Sequence, residues 1–196
     1  VLSICGSFKY PGAAVLAATG AVKVGAGLVT AAFPEKAYLA IASKLTEPIM
    51  LPLPCCEDGF LARGALDKLL PESEKATTVL IGCGLGQTLG TASIFEEVLS
   101  SCKKSLVIDA DGINFLSMNI NIPEAIKGRT VITPHPGEMA RLVGLTVQQV
   151  NDNRFALAKL FAKKYGVVVA LKGANTVVSD GDRVYINRTG NPGMSR

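Results

Sequence analysis

The chain has 196 residues, of which 48% are hydrophobic, with 20 glycines, no Trp and a formal net charge of +4. That length supports one domain with a good core, and the composition indicates a compact α/β protein rich in tight turns. The charge is modest and its Lys103-Lys104 and Lys163-Lys164 pairs fall near predicted helix ends, where cations favour the dipole, which argues against nucleic-acid binding.

The chain opens on strand residues, Val1 to Cys5, closed by Gly6-Ser7. Tyr10-Pro11-Gly12 then leads into AAVLAATGAVKVGAG, an Ala-rich helix with Pro11 near its first turn. Leu28 to Phe33 is the next strand, and Pro34 to Leu45 reads as a helix. Ile49 to Leu53 is a short strand placed near a sheet edge by Pro48, Pro52 and Pro54. After a turn at Asp58-Gly59, Phe60 to Leu70 reads as a helix ended by Pro71. Val79 to Ile81 is a strand running into Gly82-Cys83-Gly84-Leu85-Gly86, and Thr91 to Ser101 is helical. Leu106 to Ile108 is a buried strand with Asp109-Ala110-Asp111 at its carboxyl end. Val131 to Thr133 repeats that arrangement and ends in Pro134-His135-Pro136-Gly137-Glu138. Thr146 with Gln149 forms a capping box for a long helix to about Tyr165, stopped by Gly166.

Val167 to Leu171 is a continuous apolar, β-branched run that reads as a strand buried on both faces, delivering Lys172-Gly173 at its end. Thr176 to Ser179 and Arg183 to Asn187 form a hairpin across Asp180-Gly181, followed by a loop at Thr189 to Gly193. The chain starts without an initiator Met and stops after Met194-Ser195-Arg196, so it is expected to be a piece of a longer one. Alternation of strand and helix predicts a three-layer α/β/α architecture with a mostly parallel, doubly wound sheet. In such a sheet ligands bind beyond the carboxyl ends of the strands. Gly6-Ser7, Gly82 to Gly86, Asp109 to Asp111, His135 to Glu138 and Lys172-Gly173 should therefore share one rim.

A lysine after a buried strand, with glycines that let backbone N–H groups approach, suits a polyphosphate; a surface lysine with ordinary turns is the plain alternative. The 82–86 run resembles a dinucleotide fingerprint, but Gln87 stands where its last glycine belongs. Asp109 and Asp111 can hold a metal or a hydroxyl, or cap a helix. His135 is either a structural histidine or, held between two prolines at a strand end, one that faces a ligand, and Glu138 either caps the next helix or binds a cation beside phosphate. Cys5, Cys55, Cys56, Cys83 and Cys102 form an odd set without C-x-x-C spacing, which suggests neither zinc nor a disulfide framework and fits a cytoplasmic setting. No apolar run approaches the length of a membrane span.

Taken together, GSFKYPGAAVLAATGAVKVGAGLVT, IGCGLGQT, VIDADGIN, TPHPGEMARLVG and VALKGANTVV followed by NRTGNPGMS resemble the ADP/ATP-dependent NAD(P)H-hydrate dehydratase family of the ribokinase-like superfamily. The resemblance covers nearly the whole chain in the family's order. It implies dehydration of the S form of NAD(P)H hydrate, driven by ADP or ATP as co-substrate with Mg2+, in a homo-oligomer. It also implies substrate contacts at Ala13, Gly84 and His135, nucleotide contacts at Lys172, Gly173, Ala174, Asn175 and Thr176, and a magnesium-associated acid at Glu138.

Two departures stand out. Cys83 replaces the family's usual proline, which should soften the loop. The family also continues after GMS with G-G-[TS]-G-D, whose glycines form an anion hole and whose aspartate is the catalytic base, so the expected activity belongs to the parent protein. A vitamin-precursor kinase of the same superfamily and a non-catalytic nucleotide-binding module are the competing readings.

Overall fold

A computed structural model describes residues 1–118 and 127–190. The NPGMSR end of the last motif lies outside the described residues. The described chain runs β1 (Leu2–Ile4), α1 (Pro11–Lys23), β2 (Thr30–Pro34), α2 (Tyr38–Ala42), β3 (Ile49–Leu53), α3 (Leu66–Lys75), β4 (Thr78–Ile81), α4 (Leu89–Ser101) and β5 (Ser105–Ile108). It continues through α5 (Asp111–Met118), β6 (Thr130–Ile132), α6 (Pro136–Val143), α7 (Val147–Asp152), α8 (Arg154–Tyr165), β7 (Val168–Leu171), β8 (Val177–Ser179) and β9 (Val184–Ile186).

The strands form one sheet in the order β3-β2-β1-β4-β5-β6-β7-β8-β9. Every pair from β3 to β7 is parallel, and the β8–β9 hairpin adds two antiparallel strands at the far edge. The proline-bearing β3 is an edge strand, where a residue without an N–H breaks no central ladder. From β1 the chain builds outward through β2 and β3, then returns beside β1 with β4 and builds the other way. The boundary between β1 and β4 is therefore the topological switch point, where doubly wound sheets open a crevice.

Alternating strand residues feed two separate cores. Cys5, Ala31 and Phe33 pack with Ala14, Ala18 and Ile41 of α1 and α2 on one face. Leu2, Ile4, Val79, Ile81, Leu106, Ile108, Ile132, Val169 and Leu171 pack on the other face with α3 to α8. In β7 only this second face is fully covered: Val169 and Leu171 are buried, whereas Val168 and Ala170 are half-buried. The expectation that this strand is buried on both faces is corrected accordingly.

Three helical segments also differ from the sequence reading. Pro71 lies inside α3 and does not end it; helix starts only after a 3₁₀ turn at Arg63–Ala65 and continues to Lys75. The loss of one N–H is offset because Leu66 and Leu69 bury their side chains against the core on that helix. Likewise the stretch from Thr146 to Tyr165 is two helices. The predicted capping box is present, with Thr146 Oγ1 accepting from Gln149 N–H, but the chain breaks at Asn153 before α8 begins. The Pro34-to-Leu45 segment is a 3₁₀ turn plus the short α2.

Candidate functional site at the carboxyl rim of the sheet

Backbone hydrogen bonds tie the strand ends into a continuous rim. At the switch point Gly6 N–H donates to the Cys83 carbonyl at 2.7 Å and Gly82 N–H to the Ile4 carbonyl at 3.3 Å. Asp109 N–H donates to Ile81 at 3.1 Å, Thr133 N–H to Ile108 at 3.2 Å, and Lys172 N–H to Pro134 at 2.8 Å. The segments that the sequence assigns to one edge thus meet there, each held by its neighbour.

Glycine is required in the 82–86 loop by close approach. Gly82 has φ +129, and a Cβ there would collide with the Asp109 carbonyl. Gly84 has φ +66, and its Cβ would lie 2.6 Å from Ala13 Cβ and 3.0 Å from Tyr10 Cβ. Ala13 and Gly84, predicted to leave room for a large substrate, are therefore in direct apposition, and their small size lets the start of α1 dock on the loop. The loop is clasped from the other side by Asp111, whose carboxylate accepts from Gly86 N–H at 2.8 Å, from Gln87 Nε2 at 3.1 Å and from Asn114 Nδ2 at 3.3 Å.

Side-chain capping by Asp109 or Asp111 is not what the fold uses. The first N–H groups of α5 go to the backbone carbonyls of Asp109 and Ala110, with Ala110 at φ 50. Asp109 instead receives the Lys172 ammonium on Oδ1 at 2.6 Å and the Cys83 thiol on Oδ2 at 3.6 Å. Burial pushes the Asp109 carboxyl up, but the Lys172 ammonium, the Thr133 hydroxyl and the Ala110 N–H together outweigh it and hold the group below its ordinary value. The Cys83 thiol is pushed well up by its hydrogen bond with Cys5, then by burial, so it stays a neutral donor in the loop position where proline was expected.

His135 and Glu138 cap α6 reciprocally. His135 Nδ1 accepts from Gly137 N–H at 3.0 Å and from Glu138 N–H at 3.4 Å, while Glu138 Oε2 accepts from His135 N–H at 2.8 Å. His135 Nε2 lies 3.3 Å from Glu138 Oε1, with the His135 side chain 50% exposed and that of Glu138 only 6%. The imidazole therefore serves as a helix cap and still presents an edge to solvent at the rim.

The Lys172-to-Thr176 turn projects from the end of β7. Gly173, Ala174 and Asn175 are exposed, Asn175 has φ 56, and Thr176 Oγ1 donates to the Gly173 carbonyl at 3.0 Å. Lys172 uses one donor on Asp109, and with its side chain 42% exposed two ammonium protons remain for a ligand. Arg154, at the first turn of α8, donates from Nη2 to the Leu171 carbonyl at 2.8 Å and to the Lys172 carbonyl at 3.1 Å. Sequence reading missed Arg154 because it placed that residue in the middle of a single long helix.

Among the described residues no group of three His, Cys, Asp or Glu side chains converges to hold a metal ion. Asp109 Oδ1 is taken by Lys172, and both Glu138 oxygens are engaged with His135. These carboxylates do not build a protein cage. They fit magnesium only as an ion that brings most of its ligands as phosphate oxygens and water.

Comparison with known proteins places the same elements in a known setting. A protein-family model described as NAD(P)H-hydrate dehydratase matches residues 1–196. The bifunctional NAD(P)H-hydrate repair enzyme Nnr of Moorella thermoacetica is 42% identical over 196 residues, which are 100% of this chain and 37% of that protein. A ribokinase-like superfamily protein of Enterococcus faecalis superposes with a TM-score of 0.86 at 25% identity, covering 100% of this chain and 64% of that one. The ADP/ATP-dependent NAD(P)H-hydrate dehydratase of Bacillus subtilis, co-crystallised with ATP and Mg2+, superposes with a TM-score of 0.79 at 27% identity, covering 100% of this chain and 65% of that one. The chain thus spans little more than a third of the length of the curated relative.

Proposed function

The chain belongs to the NAD(P)H-hydrate dehydratase family, and from that premise we propose that it carries the rim on which the whole protein uses ADP or ATP to dehydrate the S form of NAD(P)H hydrate. The observation that carries this reading is the hydrogen-bonded sequence of strand ends from Gly6 to Lys172, which juxtaposes a glycine loop, a histidine edge and a cationic turn. A dinucleotide and a nucleotide phosphate need those three features side by side.

In this reading the exposed turn 172–176 takes the nucleotide phosphates: Lys172 supplies charge, and Gly173, Ala174, Asn175 and Thr176 supply backbone and hydroxyl contacts. Asp109 holds the ammonium at the rim before the nucleotide arrives, so part of the cost of ordering a long side chain is met in advance. The exposed edge of His135 and the Ala13–Gly84 junction contact the hydrate. Loss of hydroxide from carbon is slow; transfer of the nucleotide's terminal phosphoryl group to the hydroxyl oxygen releases the shortened nucleotide, and phosphate then departs as a base takes the proton of the neighbouring carbon. Magnesium carried on the polyphosphate would neutralise charge as that group transfers, with Glu138 behind it through water. Association of whole copies into a homo-oligomer belongs to the same proposal.

The test is nucleotide binding by calorimetry with Lys172→Ala in the whole protein. Weakening by roughly tenfold or more is expected, since a charge-assisted hydrogen bond contributes about 1.5 to 3 kcal/mol. Hydrate binding should change less. Unchanged nucleotide affinity would remove the phosphate assignment.

A further inference from the structure

Arg154 stands at the junction of two helices, directly after Asn153, which closes α7 and opens α8. It is the first residue of α8, and burial pulls its guanidinium below its ordinary pKa without removing the charge. Among the described residues no carboxylate pairs with it; its bonds go to the Leu171 and Lys172 carbonyls. A half-buried cation with no carboxylate partner keeps a charge that an anionic ligand nearby would offset.

The backbone around it is shaped to the guanidinium. Gly173 has φ +142, and a Cβ there would run into Arg154, with Nη2 only 3.0 Å away. Arg154 thus grips the last carbonyl of β7 and the carbonyl of Lys172, and it lies directly behind the turn that projects to the rim. Its Nη2 spans two successive carbonyls, so the direction in which Lys172 leaves the strand depends on it.

We propose that Arg154 is a positioning residue for nucleotide binding, which fixes the 172–176 turn and places a permanent positive charge behind the bound phosphates. This rests on the assignment of that turn to nucleotide phosphate. An anionic ligand in front of the turn supplies the opposite charge that no carboxylate among the described residues offers Arg154. A lysine keeps the charge but not this arrangement, because its ammonium lacks the flat guanidinium that lies against Gly173 while Nη2 holds the two carbonyls.

The test compares Arg154→Met, Arg154→Lys and Lys172→Met in the whole protein. The readouts are ADP and ATP affinity by calorimetry at low and high salt, and KM for NADH hydrate. Arg154→Met should weaken both nucleotides by about tenfold and reduce the salt dependence of their binding, with the hydrate KM within about twofold of wild type. Arg154→Lys should recover the salt dependence but not the full affinity. If Lys172→Met weakens nucleotide binding and Arg154→Met does not, the positioning role is overturned while the phosphate assignment stands. If neither variant weakens it, the phosphate assignment falls and this inference with it. Should Arg154→Met not fold, Arg154→Lys decides: a loss confined to nucleotide supports the role, and equal losses for nucleotide and hydrate overturn it.

Discussion

The Lys172 ammonium lies 2.6 Å from Asp109 Oδ1, although 63 residues separate the two in the chain. The pair joins the ends of β5 and β7 across the intervening β6, and makes the rim a single electrostatic unit.

This pair sets a pH dependence. The Asp109 carboxyl is held below its ordinary value, so its contribution to stability is present above the unfolded-state value and is lost as pH falls through the lower folded one. Asp109→Asn should therefore melt lower than wild type near neutral pH, by the equivalent of about 1 kcal/mol for a partly exposed pair. The gap should close as melts are repeated from pH 5 towards pH 3. A gap that stays constant across that range would show that the pair does not act through charge.

His135 separates capping from substrate contact. Asn is a good N-cap, so His135→Asn should keep the melting temperature within a few degrees while raising KM for NAD(P)H hydrate. His135→Ala should raise KM and also cost about 1 kcal/mol of stability. A large loss of stability in the Asn variant with an intact KM would assign the imidazole to structure alone.

The 82–86 loop makes a packing prediction with an internal control. Gly84→Ala sets a methyl 2.6 Å from Ala13 Cβ at a positive φ, and should destabilise by roughly 1 to 3 kcal/mol. Gly20→Ala in α1, where a Cβ meets nothing within 4 Å, should stabilise by about 0.5 to 1 kcal/mol. Thermal melts of the two variants moving in the same direction would contradict the docking of α1 on the loop.

Much of this was legible in the sequence because the determinants are local. Apolar runs ending in Gly6, Gly82, Asp109, Pro134 and Lys172 mark parallel strands and their rim, prolines mark β3 as an edge, and Asp180-Gly181 marks the β8–β9 turn. What escaped depends on tertiary contacts. Pro71 is tolerated because Leu66 and Leu69 anchor the helix around it, and Asn153 interrupts what reads as one amphipathic stretch, which hid Arg154 as a helix start. The pairing of Lys172 with Asp109 spans β6, and no periodicity announces it. Glu138, readable either as cap or as cation ligand, shows its capping role only through its oxygens on His135, a contact the sequence leaves open.

The most direct measurement is turnover. The whole protein is mixed with NADH hydrate, with ADP or ATP and Mg2+, and the return of NADH absorbance is followed alongside a parallel assay offering hydroxymethyl-pyrimidine and hydroxyethyl-thiazole alcohols. The account predicts that NADH appears only when hydrate and nucleotide are both present, and that the alcohols are not phosphorylated. Phosphorylation of an alcohol with no return of NADH would contradict it.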